Sequence, residues 1–176
     1  MADKGMRLSW ITIGYGAYLV VSASFMLQVN EWLSAAVGNE LLIRSFWAFA
    51  ISVLIALVAH ILWARLGFFK LCAVILIFIV GYLIGMWPEY FEEKTHLLMY
   101  GLLGYMACKD LVGRDRTAAP INMAASAAFV ALTSISDEVF QWILPYRVGD
   151  LRDVVLNVLG GILGIAMFLA LKRRPR

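Results

Sequence analysis

Six runs of mostly apolar residues, separated by short polar stretches, leave this chain few ways to fold: Trp10–Leu27, Leu41–Leu62, Phe68–Trp87, Thr95–Leu111, Ala118–Ile135 and Leu151–Leu171. A helix that crosses the hydrocarbon core of a bilayer needs about 20 such residues. The runs cover most of the chain, so they leave no room for a soluble domain. Composition agrees: 62% of the residues are hydrophobic and 15% charged, against roughly 25% charged in a soluble domain. The expected fold class is all-α, a polytopic membrane bundle of about six transmembrane helices, forming one domain over residues 1–176. The fourth run is short and the fifth is rich in Ala, Ser and Thr. Both suit helices packed against neighbours, where small and hydroxylated residues allow close approach. Lys4 and Arg7, then an apolar run, then Ser22-Ala23-Ser24 have the outline of a cleavable signal peptide. We read the segment as the first helix.

The basic residues set an orientation, because Lys and Arg in short loops gather on the cytoplasmic side. Lys4, Arg7, Arg65, Lys70, Lys109, Arg114, Arg116, Lys172, Arg173, Arg174 and Arg176 fall on one side of a six-span arrangement. Lys94, Arg147, Arg152 and Arg44 fall on the other. Both termini are therefore expected in the cytoplasm. The net charge of +3 follows from this distribution and implies no nucleic-acid partner, since no segment outside the spans is large enough to hold a binding module. Cys72 and Cys108 lie within or beside spans. Two free thiols are the expectation, not a disulfide framework.

The opposite side is acidic: Glu31 and Glu40, Glu89, Glu92 and Glu93, then Asp137, Glu138, Asp150 and Asp153. Its first segment is patterned. Val29, Trp32, Leu33, Ala36 and Val37 recur on one helical face, which suggests a short interfacial helix lying on the outer leaflet.

The densest polar stretch is Ser136 to Asn157. Ser134, Glu138 and Gln141 share one face at the outer end of the fifth helix, at spacings of i, i+4 and i+7. Pro145 turns the chain. Asp150, Asp153 and Asn157 share a face at the outer end of the sixth helix, continued by Gly160, Gly161 and Gly164. The fourth helix adds His96, with Tyr100 one turn below. His96, Glu138, Gln141, Arg147, Asp153 and Asn157 thus fall at one depth. A charged side chain at the centre of a membrane helix costs roughly 2.5–3.5 kcal/mol, so such a cluster requires a water-filled pocket or mutual pairing. Duller roles stand beside this one. Asp137 and Arg152 suit a solvated loop, His96 a hydrogen-bonded helix end, and Arg147 a side chain snorkelling to phosphate. Gly160 and Gly164 suit close helix contact, and Arg44 and His60 reach the interfaces. One histidine among carboxylates lacks the ligand spacing of a zinc enzyme, and His60 belongs to the other side. No serine-nucleophile motif, phosphate loop or haem attachment sequence is present. Neither metal nor cofactor is expected.

Asp137-Glu138-x-x-Gln141-x-x-x-Pro145-x-Arg147, followed by Asp153-x-x-x-Asn157-x-x-Gly160, resembles the C-terminal signature of the VanZ-like membrane proteins. Lys94, His96, Tyr100 and Gly104 resemble that family's Lys–His–Tyr signature. Only Thr95 separates Lys94 from His96, where the family usually has two residues, so His96 and Tyr100 carry over and Lys94 does not. Tyr146 stands where the family often has Gly. The first half of the chain matches only as apolar spans. The resemblance implies a multi-pass protein of a bacterial cytoplasmic (inner) membrane. The family is named for a protein associated with low-level resistance to the glycopeptide teicoplanin and has no agreed biochemical activity, so the resemblance does not make this chain a resistance factor.

The functional expectation is an outward-facing polar pocket that binds, or binds and processes, an anionic membrane lipid or lipid-linked envelope precursor. Arg147 is the candidate for the anionic group, because guanidinium pairs bidentately with phosphate or carboxylate. His96, Glu138 and Asp153 are the candidate acid–base groups. Gln141, Asn157, Tyr100 and Asp137 complete the ligand-binding set. The alternative expectation is a non-catalytic accessory subunit among the other membrane subunits of a photosynthetic or respiratory complex, with the polar cluster as structural glue.

Overall fold

The computed structural model describes residues 7–114, 119–147 and 149–172. Lys4, Arg116, Ala118 and the basic tail from Arg173 therefore lie outside the described residues. Among the described residues there are six helices: α1 Trp10–Val37, α2 Asn39–Trp63, α3 Phe68–Gly85, α4 Phe91–Arg114, α5 Ala119–Ile143 and α6 Leu151–Leu171. All but α4 are long and apolar enough to cross a membrane. The chain is an all-helical, multi-span membrane protein.

Local chemistry sets the ends of the helices. Ser9 caps α1 by accepting from the Thr12 amide, which satisfies a free N–H of the first turn. Gly38 ends α1 and starts α2 at φ 84°, a conformation open to glycine and costly for other residues. One residue thus reverses the chain. The expected interfacial helix is not a separate element. Val29 to Val37 continues α1 without a break, because no Gly or Pro interrupts the run before Gly38. At 28 residues α1 is about 42 Å long, more than the roughly 30 Å hydrocarbon core, so this amphipathic stretch forms the projecting end of a spanning helix. α5 also exceeds its apolar run. It continues to Ile143, two residues short of Pro145, and so takes in Asp137, Glu138 and Gln141.

The helices alternate in direction. The ends of α1 and α6 that carry the chain termini lie at one end of the bundle, together with the α2–α3 turn. Lys70 on α3 donates to the carbonyls of Leu171 and Lys172 at the α6 C-terminus. Lys172 in turn donates to the Val112 carbonyl near the end of α4. Each ammonium satisfies helix-end carbonyls at the negative end of the helix dipole. Asp110 on α4 accepts from the Ser9 amide and the buried Thr12 hydroxyl. The opposite end, which carries the α5–α6 turn, is called here the motif end.

α4 packs against every other helix, and most extensively against α6. Its polarity keeps it from qualifying as a lipid-facing span. Its place inside the bundle explains how it is tolerated, since the neighbours supply partners that lipid cannot. Five glycines make the α4–α6 seam. A Cβ on Gly164 would run into the Gly101 carbonyl, one on Gly104 into the Gly161 carbonyl, and one on Gly160 would come within 2.5 Å of the Leu97 oxygen. The backbones touch because these positions have no side chain. Only 6% of the residues in the apolar stretch of α2 are buried by protein, against 39% for α6. The α2–α3 hairpin is therefore the periphery, held to α4 partly by Phe46, Trp47, Tyr82 and Phe91. Cys72 and Cys108 are free thiols, the first exposed and the second buried.

Candidate functional site

At the motif end, α4, α5 and α6 place their polar faces together. Asp137, Glu138 and Gln141 on α5 are all at most 3% exposed. Asp137 is thus no loop residue: α5 runs two turns past Ile135 and carries it inward, against Tyr100. The Tyr100 hydroxyl donates to Asp137 Oδ2 at 2.9 Å. Gln141 Nε2 reaches Asp137 Oδ1 and Glu138 Oε1, each at 3.4 Å. Glu138 Oε2 accepts the Asp150 backbone N–H at 2.8 Å, tying the end of α5 to the start of α6. Asp150 caps α6 through the Arg152 amide. Among the described residues neither Asp137 nor Glu138 has a cation within ion-pair distance. Hydrogen bonds satisfy these buried carboxyl groups at close range, and Arg147 acts on both from farther away.

A second chain of bonds runs through His96. Asn157, fully buried, donates from Nδ2 to Ser134 Oγ at 3.0 Å and turns its Oδ1 to His96 Nδ1, also at 3.0 Å. An amide oxygen only accepts, so an imidazole hydrogen sits on Nδ1, and in the neutral ring Nε2 is the nitrogen left to accept. The His96 ring stacks over Tyr100, with centroids 6.3 Å apart and planes at 23°. The helix-end position thus comes with a defined tautomer and orientation.

Arg147, just beyond the Pro145 turn, donates from Nε and an Nη to Gln141 Oε1, at 3.2 and 2.9 Å. Among the described residues it forms no salt bridge. Arg152 belongs to the first turn of α6, not a loop, and pairs with Glu93 and, at 3.8 Å, with Asp150. Lys94 is buried and donates to the carbonyls of Gly85 and Pro88, closing the α3–α4 turn. It takes no part in the cluster, in keeping with its displaced position in the signature.

A cavity of about 30 Å³ opens beside this network, room for a water molecule or two. His96, Tyr100, Asp137, Gln141 and Arg147 line one side, and α1 forms the other with Ser22 and Asn30 among its lining residues. Glu138, Asp153 and Asn157 do not line it. Glu138 faces the α6 N-terminus, Asn157 stands behind His96, and Asp153 is half-buried on α6 within electrostatic reach of His96. The contribution of α1 was missed in the sequence. Its signal was there: Leu19, Ser22, Ala23, Met26 and Asn30 recur at i, i+3, i+4, i+7 and i+11, the spacing of a buried helical face. Among the described residues no three His, Cys, Asp or Glu side chains converge as a metal site. Chemically, the arrangement offers a guanidinium with no carboxylate at ion-pair distance among the described residues, an oriented imidazole and one buried carboxyl group, Asp137, around a space that holds a polar atom.

No curated protein and no solved structure matches the chain. The VanZ/LLP1 family model matches residues 13–172, first apolar helix included, and the chain belongs to that family.

Proposed function

We propose that the motif end is a binding site for the phosphate group of an anionic membrane lipid or lipid-linked envelope precursor. It would face the outside of a bacterial cytoplasmic membrane, with both termini in the cytoplasm. Family membership and five span-length helices make the chain a multi-pass membrane protein; the ligand is our reading of the site. Arg147 carries it. The side chain lines the cavity, spends donors on a neutral amide oxygen and has no carboxylate within ion-pair distance among the described residues. A cation held in this way has charge and N–H donors left for an anion. The cavity itself takes a single polar group, so the rest of a head group would lie at its mouth, at the membrane surface. His96 Nε2 is the group that would accept or return a proton in any processing of the bound lipid.

The test is lipid binding by the purified full-length protein in nanodiscs, read by native mass spectrometry. Anionic phosphatidylglycerol and phosphatidate should be retained over phosphatidylcholine, and Arg147→Gln should remove the preference. Equal retention of all three lipids by the parent protein would refute the reading.

A further inference from the structure

The side-chain amide of Asn30 stands out within the cavity. It is 8% exposed on α1 and lines the same space as Arg147, His96 and Gln141. Among the described residues it makes no side-chain hydrogen bond, although Tyr100, Asp137, Gln141 and Asn157 around the same site are all paired. Buried polar groups are nearly always hydrogen-bonded. An unbonded amide on the wall of a space of about 30 Å³ is therefore placed to meet something that enters that space.

The donors and acceptors around the cavity restrict what that is. Arg147 only donates, so it requires an acceptor, which a phosphate oxygen supplies. Asn30 Nδ2 can donate to the same phosphate, but Asn30 Oδ1 and, in the neutral ring, His96 Nε2 accept, and a phosphate diester has no hydrogen to offer them. Two acceptors and one cation on a space for a single polar group match a phosphate at the mouth, beside Arg147, whose alcohol substituent places a free hydroxyl group inside. We infer that Asn30 is a ligand-contacting, specificity-determining residue, which selects a hydroxylated phosphodiester head group, such as a glycerol or sugar phosphate on a lipid, over a bare phosphate. The inference rests on the lipid-binding reading of the site and adds α1 to it.

The test compares short-chain phosphatidylglycerol, phosphatidate and phosphatidylcholine on the full-length protein in nanodiscs, with glycerol 1-phosphate as a soluble competitor. Asn30→Leu keeps the size and removes both hydrogen-bonding functions. It should weaken phosphatidylglycerol by about tenfold, the loss of one hydrogen bond, and leave phosphatidate within about twofold. Asn30→Ser keeps a donor and an acceptor and should restore part of the difference. It also carries the test if the leucine variant does not fold. Arg147→Gln should weaken both anionic lipids. If Arg147→Gln lowers both while the Asn30 variants match the parent, the inference fails and the lipid site stands. If no anionic lipid is preferred by the parent, both fail. Displacement of bound lipid by glycerol 1-phosphate would move the ligand into solution and overturn the lipid assignment.

Discussion

The Tyr100 phenol on α4 donates to Asp137 Oδ2 on α5 at 2.9 Å, and both residues are 2% exposed. This bond does two things. It supplies a buried carboxyl group with a partner that lipid could not provide, and it fixes the depth at which α4 and α5 meet. The His96 ring stacks over the same phenol, so the orientation of the imidazole depends on a tyrosine that is itself held by Asp137.

Removing the hydroxyl should therefore cost more than a surface hydrogen bond. Tyr100→Phe is expected to destabilise the protein by about 1–3 kcal/mol, the cost of leaving a buried polar group short of a partner. Asp137→Leu combined with Tyr100→Phe should cost less than the sum of the two single changes, because the first loss already empties the bond. Reversible denaturant unfolding in detergent, run as a double-mutant cycle, measures the coupling. Strict additivity would mean that the bond contributes nothing in the folded protein.

The glycine seam makes a sharper contrast. At Gly164 and Gly104 a methyl group would overlap the backbone of the facing helix, and neither helix can move away without breaking the α4–α6 contact. Gly164→Ala and Gly104→Ala should lower the folded yield and the thermal midpoint well beyond the effect of a typical substitution, which is about 1 kcal/mol. Gly14 on α1 has nothing within 4 Å of the same position. Gly14→Ala should be neutral or should stabilise by roughly 0.5–1 kcal/mol, because alanine orders more readily into a helix. Thermal melts of the three variants in one detergent check the order.

Much of this was legible before the fold. α6 begins and ends where the apolar run does, and the stretch around Asp150, Asp153 and Asn157 announced its own helical face. Gly160 and Gly164 announced a close contact, which α4 provides. What was hidden depends on partners far away in sequence. α4 contains Glu92, Glu93, Lys94, His96, Lys109 and Asp110, and no local measure of hydropathy shows that five neighbours shield it. Asn30 lies off the apolar stripe that includes Trp32 and Val37, and that stripe suggests a helix lying on the membrane surface with its polar residues in water. In the bundle those two are exposed and Asn30 is buried. The apolar stripe faces outward there, and the polar residue faces a polar cavity, the reverse of the order in a soluble helix.

The orientation can be checked with single cysteines in a Cys72→Ser, Cys108→Ser background. Tyr146 is exposed on the α5–α6 turn, where its hydroxyl donates to the Ser24 carbonyl, and Leu66 lies in the α2–α3 turn at the opposite end. A membrane-impermeant thiol reagent should label Tyr146→Cys in intact cells and Leu66→Cys only after permeabilisation. The reverse pattern would place the motif end in the cytoplasm and remove the proposed access from outside.

The final expectation separates a ligand site from structural glue, and the hydrogen bonds say what each variant should do. Glu138→Gln keeps an acceptor for the Asp150 amide, so the α5–α6 turn should survive. Asp153→Asn changes a half-buried carboxylate that accepts no hydrogen bond among the described residues, so folding should be unchanged. Arg147→Lys keeps the charge and loses the planar fork that spans Gln141. All three should reach the membrane at parental abundance. Arg147→Lys should bind anionic lipid about tenfold more weakly, the loss of a hydrogen bond made by a charged group. An accessory subunit would behave differently: each variant would lower abundance or assembly, and no lipid would remain on the purified protein. The paired measurement is membrane abundance by immunoblot and bound lipid by native mass spectrometry on the same preparations. If all three variants match the parent in both, the polar cluster has no role in either binding or assembly, and Arg147 reaches lipid phosphate merely as a long side chain at a helix end.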